Sequence, residues 1–320
     1  MNKDGFLLVA CGILCFSGFS NISAQPTPSE SDAATRSTDH VSEKPSESLL
    51  KTRIQADDAK NKHFYSISTF RPNYFLPIVY TKNFNRDAFQ NSEELVGDAR
   101  TLKNVEGRFQ FSVKIPMAKG IFMDQDSVFF GFTQKAFWQI YASDNSRPFR
   151  ENVYIPEVFW RAPIELIDLP IDLGLIGLGI SHESNGRSGE LSRSWDRLYT
   201  VLTLEKNDWV YELTPWWRIP ESAKKGGANS RGDDNPDIEK YLGHFEFRMT
   251  GFWLQQEVSF MFRHNLRAEQ RGAIEMNWLI PLSDKFKTII TGFNGYGESL
   301  IDYDRSTTSV SFGILLNSWL

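Results

Sequence analysis

Strict alternation marks the stretch from Arg108 to Met117, whose sequence is Arg-Phe-Gln-Phe-Ser-Val-Lys-Ile-Pro-Met. Its odd-numbered residues are all apolar, whereas its even-numbered residues as far as Lys114 are polar or charged. Because successive side chains of a β-strand point to opposite faces, the pattern predicts a strand with an aromatic-rich face and a charged face. Two fold classes fit such a strand: a soluble sandwich with one wet side, and a membrane barrel with a polar lumen.

Similar segments follow one another from about Phe64 to the end of the chain, and Lys240 to Met249 is a second clear example. Several exceed the usual soluble strand length of about five or six residues. They match the roughly 9–11 residues that a tilted strand needs to cross a bilayer. The predicted strands are 70–81, 107–118, 126–141, 154–166, 172–184, 194–206, 208–219, 237–250, 252–265, 271–282, 286–298 and 307–320.

The connections between these segments alternate in length. Tight turns are predicted at 206–208, 250–251 and 283–285. Long polar connections are predicted at 82–106, 142–153, 185–193 and 220–236. Short turns on one side and long loops on the other are typical of outer-membrane barrels. The sequence therefore predicts an all-β fold, a twelve-stranded antiparallel transmembrane β-barrel of the outer membrane at residues 63–320, with its long loops outside the cell.

The first 62 residues differ from the rest. Lys3 precedes a largely apolar run from Phe6 to Phe19, and Ala24 is a small residue before Gln25, as expected of a cleaved signal peptide at 1–24. Both cysteines lie in that segment, so the mature chain would have neither disulfides nor a cysteine metal site. Residues 25–62 are polar and rich in Ser, Thr, Glu and Pro, and are predicted to be a disordered linker.

Composition narrows the function classes. The chain has 320 residues and a formal net charge of -5, with no basic patch of the kind that nucleic acid requires. We therefore expect no nucleic-acid partner. No segment after the signal approaches the ~18 consecutive apolar residues of a membrane helix.

A candidate catalytic group lies between residues 182 and 196. His182 is a base, Ser184 a potential nucleophile and Asp196 a carboxylate. A serine hydroxyl is a weak nucleophile that needs a base within hydrogen-bond reach and a third group to orient that base. His182 and Ser184 share one face of a predicted strand and Asp196 begins the next, so the three can meet at the outer rim. Spacing alone leaves open the alternative of a polar strand end.

Parity predicts the direction of these side chains. Leu178 and Ile180 precede His182 on one face of its strand, and Leu198 follows Asp196 on one face of the next. The three candidates thus continue an apolar series and are predicted to face lipid. Polar groups on the lipid face cost roughly 0–1 kcal/mol near the interface, which is the depth of phospholipid esters. This placement suits a lipid hydrolase better than a pore.

Longer motifs around these residues resemble those of the outer-membrane phospholipase A family. Its catalytic signature is similar to His-Glu-Ser-Asn-Gly-Arg-Ser at 182–188 and Ser-Arg-Ser-Trp-Asp-Arg-Leu-Tyr at 192–199. Other similar stretches are 133–135, 137–139, 148–151, 233–237 and 296–303. The resemblance extends from about residue 64 to the C-terminus. It implies a twelve-stranded barrel, dimeric when active, that hydrolyses the sn-1 and sn-2 acyl esters of phospholipids and lysophospholipids with calcium.

The resemblance also implies roles for single residues. Ser184 would be the nucleophile and His182 the general base, with the Gly186 amide as oxyanion donor beside calcium-held water. The family's third member is usually Asn, and here that position is Asp196. A carboxylate would orient the imidazole and stabilise the imidazolium more strongly than an amide. We therefore expect an altered pH dependence rather than loss of activity.

Calcium is the cofactor that the resemblance implies. In the active homodimer its ligands would be the Arg187 carbonyl, the Ser192 hydroxyl and Ser146 of the partner subunit. Asp234 matches a second calcium site of the monomeric form, although without the family it would be an ordinary solvated loop residue. Oxygen ligands of this kind suit a hard cation. Gln134 resembles a polar position in the dimer interface.

Two other functions remain open at this point. One is a catalytically silent barrel, a channel or structural protein, although a pore has no reason to keep His182 and Ser184 beside Arg187 and Ser192. The other is a lipid A deacylase, which would release 3-hydroxy fatty acids. A soluble secreted lipase fits less well, because no Gly-x-Ser-x-Gly surrounds Ser184.

Overall fold

The computed structural model describes residues 48–60, 66–89, 102–143, 146–164, 173–226, 231–254, 256–283 and 286–317. They belong to one compact unit, Lys44–Leu320. The predicted signal peptide and most of the predicted linker lie outside the described residues. Among the described residues, no helix has the length and apolar character to cross a membrane.

Within that part of the chain, thirteen strands form one antiparallel sheet that closes on itself. The strands are β1 Ser68–Thr69, β2 Asn73–Lys82, β3 Val105–Lys119, β4 Ser127–Trp138, β5 Phe149–Ile164, β6 Leu173–Ser184, β7 Ser194–Lys206, β8 Trp209–Ile219, β9 Phe245–Trp253, β10 Gln256–His264, β11 Gly272–Pro281, β12 Lys287–Tyr296 and β13 Ser306–Asn317. Strands β2 to β13 each pair with the next, and β13 pairs with β2. The predicted twelve-stranded antiparallel barrel is confirmed, and β1 is a short addition that pairs with β3.

The two faces of the barrel wall decide between the fold classes that the alternation allowed. On β3 the aromatic Phe111 is 51% exposed, whereas the neighbouring Lys114 is 2% exposed. The apolar face therefore points outward and the charged face inward, the reverse of a soluble sandwich. This is the arrangement of a barrel whose outer surface meets lipid and whose lumen is polar.

Ion pairs connect the inward-facing charges across the lumen. They join residues far apart in sequence: Arg71 to Glu157 at 2.7 Å, Arg108 to Glu298 at 2.8 Å, Arg150 to Asp302 at 2.7 Å and Lys287 to Glu257 at 2.5 Å. Buried charges are tolerated in proteins only when they are paired and hydrogen-bonded. The lumen is thus held by specific pairs, and a cavity of about 390 Å³ remains among them.

The end that carries the long loops, here called the outer rim, is closed by an apolar cluster. Helix α2 (Glu239–Leu242) and the loop after β12 place Ile238, Leu242 and Leu300 against Trp195 and Trp216. These side chains are all at least nine-tenths buried. The loops of the outer rim therefore fold inward over the lumen instead of extending away from the barrel.

The structure corrects the predicted strand 237–250. Residues 239–242 form helix α2, and the strand begins only at Phe245. The backbone at Gly243 has φ of 71°, which ends the helix, and Leu242 turns into the apolar cluster. The local alternation of Lys240 and Tyr241 imitates a strand that does not form there.

The tight turns are confirmed in one place and wrong in another. Asn207 and Asp208 join β7 to β8, both with positive φ, as a two-residue hairpin requires. The turn predicted at 250–251 is wrong, because β9 continues to Trp253. Gly251 lies within the ladder, opposite Val258. At 283–285, β11 and β12 are separated by residues 282–286, of which 284 and 285 lie outside the described residues.

A helix also lies within the segment that was predicted to be a disordered linker. Helix α1 spans Leu49–Lys60, and the Leu50 side chain is buried against the barrel. The carboxylate of Glu205 accepts hydrogen bonds from the first amides of this helix. The partner that orders the segment is 155 residues away in sequence, so composition alone could not identify it.

Candidate active site

The ladder between β6 and β7 brings the predicted base and carboxylate together. His182 pairs directly with Asp196, and Ser184 pairs with Ser194. His182 Nδ1 lies 2.7 Å from Asp196 Oδ1. Because a carboxylate can only accept, Nδ1 carries the proton in this bond and Nε2 is left free to act as a base.

The pair lies on the outward face, as parity predicts. The side chains of His182 and Asp196 are 47% and 39% exposed. Leu178 and Ile180 below His182, and Leu198 below Asp196, are exposed on the same face. The imidazole therefore stands at the upper edge of the apolar outer surface, at the outer rim.

Ser184 lies two residues beyond His182 on the same face of β6 and is half-buried. Among the described residues, no hydrogen bond joins its hydroxyl to His182. Catalytic hydrogen bonds are often long before substrate binds. The structure thus brings two members of the predicted triad into contact and places the third beside them.

The loop after Ser184 is shaped by the buried side chain of Asn185. Its Oδ1 accepts hydrogen bonds from the amides of Arg187 (3.3 Å) and Arg193 (3.0 Å), and its Nδ2 donates to Leu191 O at 2.8 Å. Gly186, which lies between Asn185 and Arg187, has φ of 64°, a conformation that favours glycine. Among the described residues the Gly186 amide makes no hydrogen bond, and it is exposed next to Ser184. The Asn185 side chain is a positioning element that sequence reasoning missed.

The inward face of the same two strands is fully engaged. Glu183 accepts hydrogen bonds from Arg197 at 2.6 Å and from the Trp195 indole at 3.1 Å. Trp195 is completely buried, and the Arg197 guanidinium lies over its ring at 4.1 Å. Each outward-facing candidate thus has an inward-facing neighbour that is fixed in the lumen.

A second buried network of charged residues reaches the loop 185–193 through Asn185. Arg150 is fully buried and binds Glu106 at 2.8 Å and Asp302 at 2.7 Å. Glu151 accepts hydrogen bonds from the Ile301 amide at 2.7 Å and the Asn185 amide group at 3.3 Å. Sequence reasoning gave these residues no role. The only signal was that 148–151 and 296–303 belonged to the resembling motifs.

The residues proposed to bind calcium are partly assembled. Ser192 Oγ donates to Asp234 Oδ2 at 2.6 Å, and Lys224 forms an ion pair with the other oxygen of Asp234. Arg187 lies beside them in the loop, and its side chain donates to Arg150 O at 2.8 Å. Ser146 is exposed on the loop between β4 and β5, and among the described residues it makes no hydrogen bond to Arg187, Ser192 or Asp234.

Carboxylates concentrate on this side of the rim. Asp233 binds Arg218 at 2.6 Å, and Glu221 lies nearby on the loop after β8. Burial raises the pKa of the Glu221 carboxyl, and the charges of Asp233 and Asp196 raise it further. Within the described part of the chain, no three His, Cys, Asp or Glu side chains form a ready metal site. Hydroxyl, carbonyl and carboxylate oxygens are nevertheless the donors that calcium prefers.

Comparison with known proteins identifies the family. A family model described as Phospholipase A1 matches residues 50–316. Phospholipase A1 of Escherichia coli is 32% identical over 254 residues, which cover 79% of this chain and 82% of that protein. The chain belongs to the phospholipase A1 family. A putative phospholipase A1 of Neisseria meningitidis is also 32% identical, over 77% of this chain and 64% of that protein.

Solved structures of this family share the barrel. Outer membrane phospholipase A from Escherichia coli superposes with a TM-score of 0.70 at 29% identity, over 80% of this chain and all of that chain. The Salmonella typhi outer membrane phospholipase, solved as a dimer with bound calcium, also gives a TM-score of 0.70 at 29% identity. It covers 81% of this chain and 96% of that one. Family and fold together indicate that this phospholipase A1 relative is an outer-membrane protein.

Proposed function

We propose that this chain is a calcium-dependent phospholipase that hydrolyses acyl esters of membrane phospholipids, with Ser184 as its nucleophile. The observation that carries the proposal is the 2.7 Å bond between His182 and Asp196 on the apolar outward face at the outer rim. A phospholipid in the outer leaflet brings its ester groups to that depth without leaving the membrane. The family's reaction class is consistent with this placement.

The reaction follows the usual acyl-enzyme sequence. Ser184 Oγ attacks the ester carbonyl carbon while His182 Nε2 takes the hydroxyl proton, and Asp196 stabilises the resulting imidazolium. The tetrahedral intermediate collapses, His182 returns the proton to the leaving alkoxide, and lysophospholipid departs. Water then attacks the acyl-enzyme with the same proton path and releases fatty acid.

The Gly186 amide is suited to the developing oxyanion. It is exposed beside Ser184 and donates to no other group among the described residues. Removing one oxyanion donor typically costs about a hundredfold to a thousandfold in kcat. Asn185 fixes the direction of this amide through the turn that it closes.

Calcium fits the oxygen donors at this rim. Arg187 O, the Ser192 hydroxyl and Ser146 of the partner subunit would hold it in a dimer, and Asp234 would hold it in a monomer. Calcium bound by these residues would supply positive charge that stabilises developing negative charge and polarises water. The Asp234 carboxylate pairs with the Lys224 ammonium group in the structure, and calcium would take the place of that cation.

Dimerisation is the proposed control of activity. By the family resemblance the partner subunit would supply Ser146, which lies on a different loop and, among the described residues, makes no hydrogen bond to Ser192. The related Salmonella typhi structure is a dimer with bound calcium. Gln134, half-buried on β4, is the proposed polar contact between subunits. Full activity of a monomer in dilute detergent would contradict this control.

The test is fatty-acid release from phospholipid in detergent micelles, with calcium or with chelator. We expect calcium-dependent release that disappears in Ser184→Ala. The matched control is Ser181→Ala, which removes a hydroxyl from the inward face of the same strand. No release by a folded wild-type barrel would overturn the proposal and favour a silent scaffold. Release of 3-hydroxy fatty acids from lipid A alone would instead indicate a deacylase.

We also propose that residues 1–24 direct export and are removed. Mass spectrometry of protein purified from outer membranes should show an N-terminus at Gln25. A chain that retains Met1 in that fraction would contradict cleavage.

A further inference from the structure

The segment before β2 continues the barrel wall beside β3 and directs two side chains into the lumen. Residues 66–72 are here called the N-terminal strap. Within it, β1 pairs with Val113 and Lys114 of β3. The next residue, Phe70, stacks on Phe159 of β5 with ring centroids 4.9 Å apart. The strap backbone therefore follows β3, while the Phe70 ring reaches across the inner face to β5.

Helix α1 fastens the strap at the short-turn end. The Glu205 carboxylate accepts hydrogen bonds from the Ser48 hydroxyl at 2.5 Å and from the amides of Leu49 and Leu50 at 2.6 Å and 3.0 Å. A carboxylate at the N-terminus of a helix stabilises it. Arg53 in turn donates to two strap carbonyl oxygens, at 3.4 Å and 3.5 Å.

Arg71, the strap residue after Phe70, binds a buried carboxylate on the inner face of the barrel wall. Its Nη2 lies 2.7 Å from Oε1 of Glu157 on β5, a side chain with no exposed surface. The other oxygen of Glu157 accepts a hydrogen bond from the Tyr199 hydroxyl of β7. One buried carboxylate thus connects the strap to β7.

Tyr199 completes the connection to β6. Its ring lies against Gly179, so closely that a Cβ atom at that position would approach the ring to 2.4 Å. Gly179 and Tyr199 are directly paired, three rungs below the pair formed by His182 and Asp196. The chain of contacts therefore ends on the two strands that carry the catalytic pair.

We propose that Arg71 is a positioning residue for catalysis, which acts through Glu157 and Tyr199 on the spacing of β6 and β7. The inference rests on the proposed function. Without Arg71, Glu157 has the Tyr199 hydroxyl as its one remaining side-chain partner among the described residues. The stronger pull on that hydroxyl would move the Tyr199 ring away from Gly179. A displacement of about 1 Å at reacting groups can cost roughly a hundredfold in rate.

A second ion pair of the lumen, between strands away from β6 and β7, provides a matched control. Lys287 of β12 pairs with Glu257 of β10 at 2.5 Å, with side-chain exposures of 31% and 3%. The Arg71 and Glu157 side chains are 35% and 0% exposed. The two pairs are thus similarly buried, but Glu157 of the first binds Tyr199 of β7, whereas the second joins β12 to β10.

The experiment compares Arg71→Gln, Arg71→Lys and Lys287→Gln. For each, the rate at which a fluorophosphonate labels Ser184 is measured per folded molecule, together with kcat and KM on micellar phospholipid. We expect Arg71→Gln to lower the labelling rate and kcat roughly tenfold with KM little changed, and Arg71→Lys to restore most of the loss. Lys287→Gln should label at the wild-type rate.

The outcomes separate the inference from the proposed function. A wild type that is not labelled, or is labelled equally in Ser184→Ala, overturns both. Normal labelling of folded Arg71→Gln, or an equal loss in Lys287→Gln, overturns only the role of Arg71. Should Arg71→Gln fail to fold, Tyr199→Phe removes the other contact of Glu157. The same loss of labelling is then expected, and its absence overturns the inference.

Discussion

The outward and inward faces of β6 and β7 differ although their residues alternate along the same two strands. Outward, the side chains of His182 and Asp196 are 47% and 39% exposed. Among the described residues, each of these side chains hydrogen-bonds only to the other. Inward, Glu183 and Arg197 are bonded to each other and packed against Trp195. The outward pair is thus left accessible, whereas the inward residues of the same two strands hold the barrel wall together.

The largest expected effect is on the outward face. His182→Asn removes the base, and we expect kcat to fall about a hundredfold to ten-thousandfold while the barrel folds normally. Fatty-acid release per folded molecule checks this, with heat-modifiable mobility as the measure of folding. A variant with near-normal kcat would show that the outward face is not the reactive one.

The next effect distinguishes charge from hydrogen bonding at Asp196. Asp196→Ala removes the partner of His182 Nδ1, and we expect a loss of about 1.5–3 kcal/mol of transition-state stabilisation, or roughly tenfold to a hundredfold in kcat. Asp196→Asn keeps a hydrogen-bond acceptor and should lose less than tenfold. Parallel kinetics of the two variants decide this. Equal losses would mean that the negative charge, rather than the orientation, is essential.

On the inward face the same kind of change should affect folding instead. Glu183→Gln weakens the contacts to Arg197 and Trp195, and we expect unfolding to cost about 1–3 kcal/mol less. The activity of the folded fraction should stay near that of the wild type. Urea unfolding in lipid vesicles measures the first quantity and micellar kinetics the second. Loss of activity without loss of stability would erase the difference between the faces.

The smallest effect is expected far from the site, in the turn between β3 and β4. Burial opposes ionisation of Asp126. Hydrogen bonds from Trp160 and the amides of Phe122, Ile121 and Met123 outweigh it and lower the pKa of Asp126 to about 2. A depressed pKa stabilises the fold above the unfolded value of about 4, and that stability is lost as the pH falls towards 2.

Asp126→Asn should therefore be less stable than the wild type at pH 6. The difference should shrink between pH 4 and pH 2, with phospholipase activity at neutral pH unchanged. Thermal unfolding at several pH values provides the measurement. A stability difference that grows in acid would reverse the assigned sign.

The sequence alone was sufficient where the structural rule is local. A period of two placed Phe111 outward and Lys114 inward, and the same rule put His182 and Ser184 on one face. The antiparallel ladder of β6 and β7 then set Asp196 opposite His182. Fold class and the outward direction of the candidate site followed from these few positions.

The sequence did not predict the contacts between residues that are distant in the chain and meet in the lumen. Arg150 binds Asp302, 152 residues away, and no local pattern states which charges will meet. The sequence predicts a linker where helix α1 forms. The carboxylate that binds the first amides of this helix, Glu205, belongs to a strand distant in sequence. Helix α2 was interpreted as strand because four residues of alternation cannot reveal that Leu242 turns into the apolar cluster.

The inside-out distribution of side chains has a consequence for how the protein reaches its membrane. In the unfolded chain the lipid-facing Phe109, Phe111 and Val113 of β3 each lie between polar neighbours, so these residues form no continuous apolar surface before the strands pair. That surface forms only as the strands pair and the sheet closes. Insertion and folding are thereby one event, and a chain that has not yet folded remains compatible with water on its way to the bilayer.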